Sequence, residues 1–163
     1  MKKIILLGDS ITELNPLKHE DILNLGIYGN TTMDIFFRTE QLMDLESEKI
    51  IFKAGINDIL NGFSLEKSRD FYERILIVLQ KKFKEIVLIS VLPIENRSKI
   101  NFKIRKLNKI IEKIAIKNNL KFLNLYPFFC DEKLNLKSDY SVDGIHLSSK
   151  GYEVLNNQIL KII

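Results

Sequence analysis

The sequence is poor in the residues and runs that mark several special classes of protein. It has a single cysteine, Cys130, which excludes an internal disulfide and a cysteine-based metal cluster. The first apolar run ends at Gly8 after only four residues, so we expect neither a signal peptide nor a membrane insertion. The net charge of +4 comes from scattered lysines without a run of five basic residues. We therefore predict a cytoplasmic protein with no nucleic-acid partner.

The composition is that of an ordinary globular protein. Of the 163 residues, 45% are hydrophobic and 28% are charged, which is enough apolar material for one domain with a sizeable core. The chain shows no internal repeat, low-complexity segment or linker. We therefore expect residues 1–163 to form a single domain.

Short apolar runs alternate with segments of helical periodicity along the whole chain. The runs are bounded by glycine or proline, which is typical of buried strands, and they cover residues 3–7, 21–26, 49–54, 85–92 and 121–125. Helical spacing or a capping residue indicates helices over about 31–45, from Ser64, over about 100–118, and over about 149–162. The intervening residues 11–19, 55–63 and 133–141 are expected to be irregular.

This alternation predicts an α/β fold with parallel strands, because right-handed crossovers place each helix between two parallel strands. Near-continuous apolar strands indicate that both faces of the sheet are covered. We expect a three-layer α/β/α sandwich of flavodoxin-like topology, with a five-stranded parallel sheet in the order 2-1-3-4-5.

Polar residues with catalytic potential follow the carboxyl ends of these strands. Ser10 follows the first strand, a glycine-rich loop follows the second, and Asn57 follows the third. The sequence Asp143-Gly144-Ile145-His146 lies in the loop before the last helix. Ligands of open parallel sheets bind beyond the carboxyl ends of the strands, so these four loops are expected to meet at one rim.

These residue types are the ones that acyl transfer needs. A serine hydroxyl becomes nucleophilic when a base such as His146 takes its proton, and a carboxylate such as Asp143 fixes the tautomer of that base. The backbone amides of Ser10 and Gly29 and the side-chain amide of Asn57 are candidate donors to an oxyanion. Each residue alone is common as a cap or in a turn. Their occurrence together, in this order, favours a catalytic site.

Four short blocks in this sequence resemble those of the SGNH hydrolase superfamily, the GDSL-type esterases and lipases. The blocks are Gly-Asp-Ser at 8–10, Asn-x-Gly-x-x-Gly-x-Thr at 24–31, Gly-x-Asn-Asp at 55–58 and Asp-x-x-His at 143–146. The first is followed by Ile11 and Thr12 instead of the leucine in the family's name. Together the blocks span essentially the whole chain.

The resemblance implies a serine esterase that works through an acyl-serine intermediate, without a metal or a cofactor. It implies Ser10 as nucleophile, His146 as base, Asp143 as its orienting carboxylate, and Gly29 and Asn57 in the oxyanion hole with Ser10. The substrate is expected to be a small-molecule ester with a short acyl group such as acetyl. From their positions we predict that Tyr28, Ile56, Ile59 and Ile145 line the acyl pocket, while Asp9 holds the nucleophile loop.

Other functions are compatible with parts of the same pattern. A thioesterase or lysophospholipase of the same family would use the same residues on another acyl substrate. A binding module could keep the pocket without turnover, although no catalytic position has been replaced. A flavodoxin-like or receiver-like signalling domain would share the fold, but it would leave Asn57 and His146 without a role.

Overall fold

A twisted sheet of five parallel strands forms the centre of the computed structural model, which describes residues 3–163. The strands run over Ile4–Gly8 (β1), Ile22–Gly26 (β2), Lys49–Lys53 (β3), Glu85–Ile89 (β4) and Lys121–Leu123 (β5). They pair in the order β2-β1-β3-β4-β5. The α/β sandwich and the strand order predicted from the sequence are confirmed.

Seven helices accompany the strands in the described part of the chain, and the last two follow β5. They run over Ser10–Glu13 (α1), Thr32–Arg38 (α2), Ile56–Leu60 (α3), Leu65–Leu79 (α4), Ser98–Lys117 (α5), Tyr126–Phe129 (α6) and Ser149–Ile159 (α7). Short 3₁₀ segments cover Thr39–Asp44, Ser138–Tyr140 and Leu160–Ile162. The end of the helix predicted over about 31–45 is thus the tighter 3₁₀ form. The segment 55–63, predicted to be irregular, contains α3, and α1 extends into the segment 11–19, which was also predicted to be irregular.

The fourth strand ends at Ile89, three residues earlier than the sequence predicts. The side chain of Asn108 on α5 explains this, because its amide bonds both backbone groups of Val91, at 2.7 Å and 2.8 Å. Those groups are therefore satisfied by a helix side chain instead of a neighbouring strand.

Alternate residues of each strand enter two separate cores. Ile5 and Leu7 belong to the cluster that includes α2, α4 and α5, whereas Ile4 and Leu6 belong to the cluster that includes α1 and α7. This follows from the two-residue period of a strand. Both faces of the sheet are buried, and polar loops extend from its carboxyl edge. No helix within residues 3–163 is long and apolar enough to cross a membrane.

The chain turns sharply as it leaves β1, and Gly8 permits this turn. A Cβ atom at Gly8 would lie 2.2 Å from Thr12 Oγ1 and 2.5 Å from the carbonyl oxygen of Lys53. Any side chain would therefore push β1, β3 and α1 apart. The close approach places Ser10 at the start of α1, directly above the carboxyl edge.

Candidate active site

Ser10 is the first residue of α1, and Asp9 fixes the start of that helix. The Asp9 carboxylate accepts a hydrogen bond of 3.1 Å from the backbone N–H of Ile11, which is the N-cap arrangement. The same buried carboxylate forms an ion pair of 3.3 Å with Lys53, itself buried at the end of β3. Asp9 therefore holds the nucleophile loop against the central strand.

A continuous chain of hydrogen bonds links Ser10, His146 and Asp143. Ser10 Oγ lies 3.0 Å from His146 Nε2, although the two residues are 136 positions apart. His146 Nδ1 lies 2.6 Å from Asp143 Oδ2. The second oxygen of Asp143 accepts the backbone N–H groups of Ile145 and His146, at 3.0 Å and 2.8 Å.

The surroundings of Asp143 keep its carboxyl group ionised. Partial burial by itself would raise the pKa of Asp143, but the hydrogen bonds from the His146 ring and from the two backbone N–H groups outweigh it. Together they lower the pKa of Asp143 to about 2. Because an ionised carboxylate only accepts hydrogen bonds, Nδ1 of His146 must carry a proton when the ring is neutral. Nε2 is then free to accept the proton of Ser10.

The loop between β2 and α2, residues 27–31, forms a tight turn beside Ser10. The N–H of Asn30 donates to the carbonyl of Ile27 at 3.2 Å, and Gly29 in the third position of the turn has φ +74°. A positive φ at this position is characteristic of a type II turn and favours glycine. A Cβ at Gly29 would meet no atom within 4 Å, so the glycine faces open space.

Asn57 lies at the start of α3 and contacts the β2–α2 loop directly. Its Nδ2 donates a hydrogen bond of 3.0 Å to the carbonyl of Asn30. A carboxamide nitrogen carries two N–H groups, so Asn57 has a second donor for a bound oxygen. The structure thus brings together the loops that carry Ser10, Gly29 and Asn57, as the four blocks suggest.

Asp58 performs a structural task that the sequence alone did not reveal. It is fully buried, and its two carboxylate oxygens accept the N–H and the hydroxyl of Thr32, at 2.8 Å and 2.6 Å. Burial raises the pKa of Asp58, and the hydrogen bonds from Thr32 only partly oppose this shift. The start of α2 is therefore tied to α3.

The four residues predicted to line the acyl pocket occupy two different environments. The Tyr28 ring stacks on the His146 ring with centroids 5.4 Å apart and is 63% exposed. Ile145 precedes the same histidine in the chain, and it is half-buried and packs against the core. Ile56 and Ile59 are 2% and 4% exposed and belong to the core, which leaves little of their surface for a substrate to touch.

Three further residues contact these loops and were not recognised in the sequence. Glu13 accepts the backbone N–H of Tyr28 at 2.5 Å, and Arg38 contacts the β2–α2 loop from the end of α2. The third residue is Lys53, which the sequence could have indicated because it is a single lysine at the end of an apolar strand. In the described part of the chain, no three His, Cys, Asp or Glu side chains are grouped so that they could hold a metal ion.

The chain is similar to several known proteins. The sequence profile of the GDSL-like lipase/acylhydrolase family matches residues 6–154. A GDSL-like lipase from Bacteroides thetaiotaomicron is 25% identical with a TM-score of 0.89, and the match covers 99% of this chain and 87% of that one. Axe2, an acetylxylan esterase from Geobacillus stearothermophilus, shares the fold at 18% identity and a TM-score of 0.84, over 98% of this chain and 93% of Axe2.

A curated relative, the N-acylneuraminate cytidylyltransferase of Escherichia coli, is 27% identical over 98% of this chain. The chain spans only 40% of the length of that relative. The fold and the site place the protein in the class of SGNH-type hydrolases. On the family match, the chain belongs to the GDSL-like lipase/acylhydrolase family, as its four sequence blocks predict.

Proposed function

We propose that this protein is a serine esterase that hydrolyses small acyl esters, most readily acetyl esters. The observation that carries the proposal is the unbroken chain from Ser10 Oγ through His146 to Asp143, with contacts of 3.0 Å and 2.6 Å. This is the arrangement in which a histidine activates a serine and a carboxylate holds the histidine.

In the first half of the reaction, Ser10 Oγ attacks the ester carbonyl carbon while its proton moves to His146 Nε2. The carbonyl oxygen becomes an oxyanion, with the N–H groups of Ser10 and Gly29 and the amide of Asn57 as its donors. As the tetrahedral intermediate collapses, the bond to the alcohol breaks and His146 protonates the departing oxygen. An acyl-serine remains.

In the second half, a water molecule replaces the alcohol. His146 takes one proton from the water as its oxygen attacks the acyl carbon, and the same donors stabilise the second oxyanion. When the bond to Ser10 breaks, His146 returns the proton to Ser10 Oγ. The products are a carboxylic acid and the regenerated serine.

The surroundings of the serine support a short acyl group. Ile56 and Ile59, which could have lined an apolar channel, are packed in the core. The exposed Tyr28 ring remains as apolar surface beside His146, whereas Ile145 packs partly against the core. Each additional methylene would therefore gain less than the ~1–3 kcal/mol that a fitted apolar pocket provides.

The proposal is tested by hydrolysis of nitrophenyl esters from acetyl to long acyl chains. We expect activity that is highest for acetyl and falls as the chain lengthens. Ser10→Ala should lower kcat by at least about 10⁴-fold, and His146→Ala should have a similar effect. Ser138→Ala, at an exposed serine outside these contacts, is the matched control and should keep wild-type activity. Retained hydrolysis by folded Ser10→Ala would refute the assignment of the nucleophile.

A fluorophosphonate probe separates the remaining possibilities. An activated serine reacts with it whatever the natural acyl substrate, so labelling of wild type but not of Ser10→Ala supports the mechanism. Labelling without hydrolysis of any nitrophenyl ester would redirect the search to thioesters or lysophospholipids. Absence of both labelling and hydrolysis would favour a binding module.

A further inference from the structure

We propose that Arg38 is a positioning residue that sets the distance between the nucleophile and the β2–α2 loop. Arg38 is the last residue of α2, and its side chain is half-buried. Its Nε donates to Asn30 Oδ1 at 2.9 Å, and its Nη2 donates to the carbonyl of Gly8 at 3.1 Å. One guanidinium thus joins the loop that carries Gly29 to the strand end that precedes Ser10.

The carbonyl of Gly8 is the common point of these contacts. Besides Arg38, it accepts the backbone N–H of Ile27 at 3.1 Å. Ile27 and Asn30 are the two ends of the turn that contains Gly29, and they bond each other at 3.2 Å. Both ends of the turn are therefore held to the same oxygen: Ile27 donates to it directly, and Asn30 is linked to it through Arg38.

Asn30 is held from a second side by Asn57. The carbonyl of Asn30 accepts Asn57 Nδ2 at 3.0 Å, while its side chain accepts Arg38. Without Arg38, the backbone contact with Asn57 would remain, but the link from Asn30 to Gly8 would be lost. Gly29 has a φ of +74°, and a Cβ at this position would meet no atom within 4 Å. Its position would then have one fewer restraint.

Such a displacement matters because oxyanion stabilisation depends on donors fixed in advance. Removing one donor typically costs about 10²–10³-fold in kcat, and small misplacements are also costly. This role of Arg38 rests on the proposed function. Because Arg38 does not contact the substrate, the expected effect on kcat is smaller than the loss of a donor and falls on the transition state.

The guanidinium shape suits this task better than a lysine would. Its donors lie in a rigid planar fork, and here two of them reach acceptors on separate loops. A lysine is a point charge on a flexible stem, so we expect it to satisfy one acceptor well and the other poorly. Arg38→Lys should therefore be intermediate between wild type and Arg38→Met.

The test compares Arg38→Met and Arg38→Lys with wild type in nitrophenyl acetate hydrolysis. For Arg38→Met we expect kcat to fall about 10- to 100-fold while KM stays within about threefold, because ground-state binding is untouched. The rate of fluorophosphonate labelling should fall in parallel, since the phosphonyl oxygen occupies the oxyanion position. Arg69→Met, at an exposed arginine on α4, is the control and should match wild type.

A double-mutant cycle keeps the proposal testable if Arg38→Met folds poorly. Asn30→Ala removes the other end of the same contact, so the effects of Asn30→Ala and Arg38→Lys on kcat should not add in the double variant. Additive effects would overturn the proposal. So would a folded Arg38 variant with unchanged kcat, or one whose loss lies entirely in KM.

The outcome also distinguishes the two proposals. If wild type neither hydrolyses esters nor reacts with the fluorophosphonate, the proposed function fails and the role of Arg38 fails with it. If wild type is active and Ser10→Ala is not, while the Arg38 variants equal wild type, the esterase function stands and only the positioning role is refuted.

Discussion

Asp143 controls the orientation of His146 by hydrogen bonding more than by burial. Its side chain is 52% exposed, yet its two oxygens accept three hydrogen bonds from the residues that follow it. The imidazole cannot rotate without breaking its bond of 2.6 Å to Oδ2. The hydrogen bonds within this short loop therefore hold the imidazole in place although the carboxylate is not buried.

Replacing Asp143 with asparagine should remove the correct histidine tautomer. An asparagine can keep the backbone contacts through its oxygen only by turning its NH₂ group towards Nδ1. The histidine would then carry its proton on Nε2, facing Ser10, and could not act as a base. We expect kcat for nitrophenyl acetate to fall about 10³- to 10⁴-fold with little change in KM.

The matched control for this prediction is Asp139→Asn. Asp139 precedes the same loop and pairs with Lys150 on the surface at 2.8 Å, so its replacement should leave kcat unchanged. If Asp143→Asn keeps more than about a tenth of wild-type kcat, His146 does not depend on this carboxylate.

The short helix α3 depends on its neighbours for its structure. Five residues, Ile56–Leu60, are too few for a helix to form in isolation. Asp58 ties α3 to the start of α2, and Asn57 ties it to the β2–α2 loop. The position of Asn57 in the site therefore depends on the buried carboxylate next to it.

Replacing Asp58 with alanine should loosen this junction and destabilise the fold. The change leaves the buried N–H and hydroxyl of Thr32 without their acceptors, at about 1–3 kcal/mol for each unsatisfied group. Urea unfolding should show the loss in the free energy of unfolding, and kcat should fall because Asn57 is displaced. Asp70→Ala, on the exposed face of α4 where Asp70 pairs with Arg74, should cost less than about 1 kcal/mol. Equal effects of the two changes would contradict the role of Asp58.

Elements with a strong local signal were predictable from the sequence, and the very short ones were not. Ser64 is the cap that the sequence predicts, and of the two candidate caps Thr31 and Thr32 it is Thr31 that begins α2. Each cap accepts a backbone N–H in the first turn of its helix. In contrast, α1 and α3 contain four and five residues, which is too short for a helical period to be visible. They are held by tertiary contacts, through the ion pair of Asp9 with Lys53 in one case and the hydrogen bonds of Asp58 with Thr32 in the other.

Contacts between loops that are distant in the sequence could be predicted only in part. The residues of the four blocks could be named in advance because their chemistry and order are distinctive. The contacts of Arg38 could not be predicted, since its acceptor Gly8 lies 30 positions earlier and no residue near Arg38 in the sequence indicates the contact. Ile56 and Ile59 were expected in the pocket from their place beside Asn57, but helix α3 turns them into the core.

The pH dependence of global stability should carry opposite contributions from two carboxyl groups. The pKa of Asp143 is lowered from 3.8 to about 2 by its hydrogen bonds, so its contribution is present above pH 3.8 and is lost as the pH falls towards 2. The pKa of Asp58 is raised above 3.8 by burial. Its contribution is present below pH 3.8 and is lost as the pH rises through the raised pKa.

Urea unfolding of wild type and Asp58→Asn at pH values from 3 to 7 should reveal the second contribution. The asparagine does not titrate, so the stability of wild type relative to the variant should decline as the pH rises above 3.8 and then level off. For Asp143→Asn the difference should run the other way, declining only as the pH falls below 3.8. Asp70→Asn, on the exposed face of α4, should change little relative to wild type over the same range. A difference in the free energy of unfolding between wild type and Asp58→Asn that stays constant from pH 3 to 7 would contradict this prediction. Burial of Asp58 would then not disfavour its ionised form, and the carboxyl group that couples α2 to α3 would not have a raised pKa.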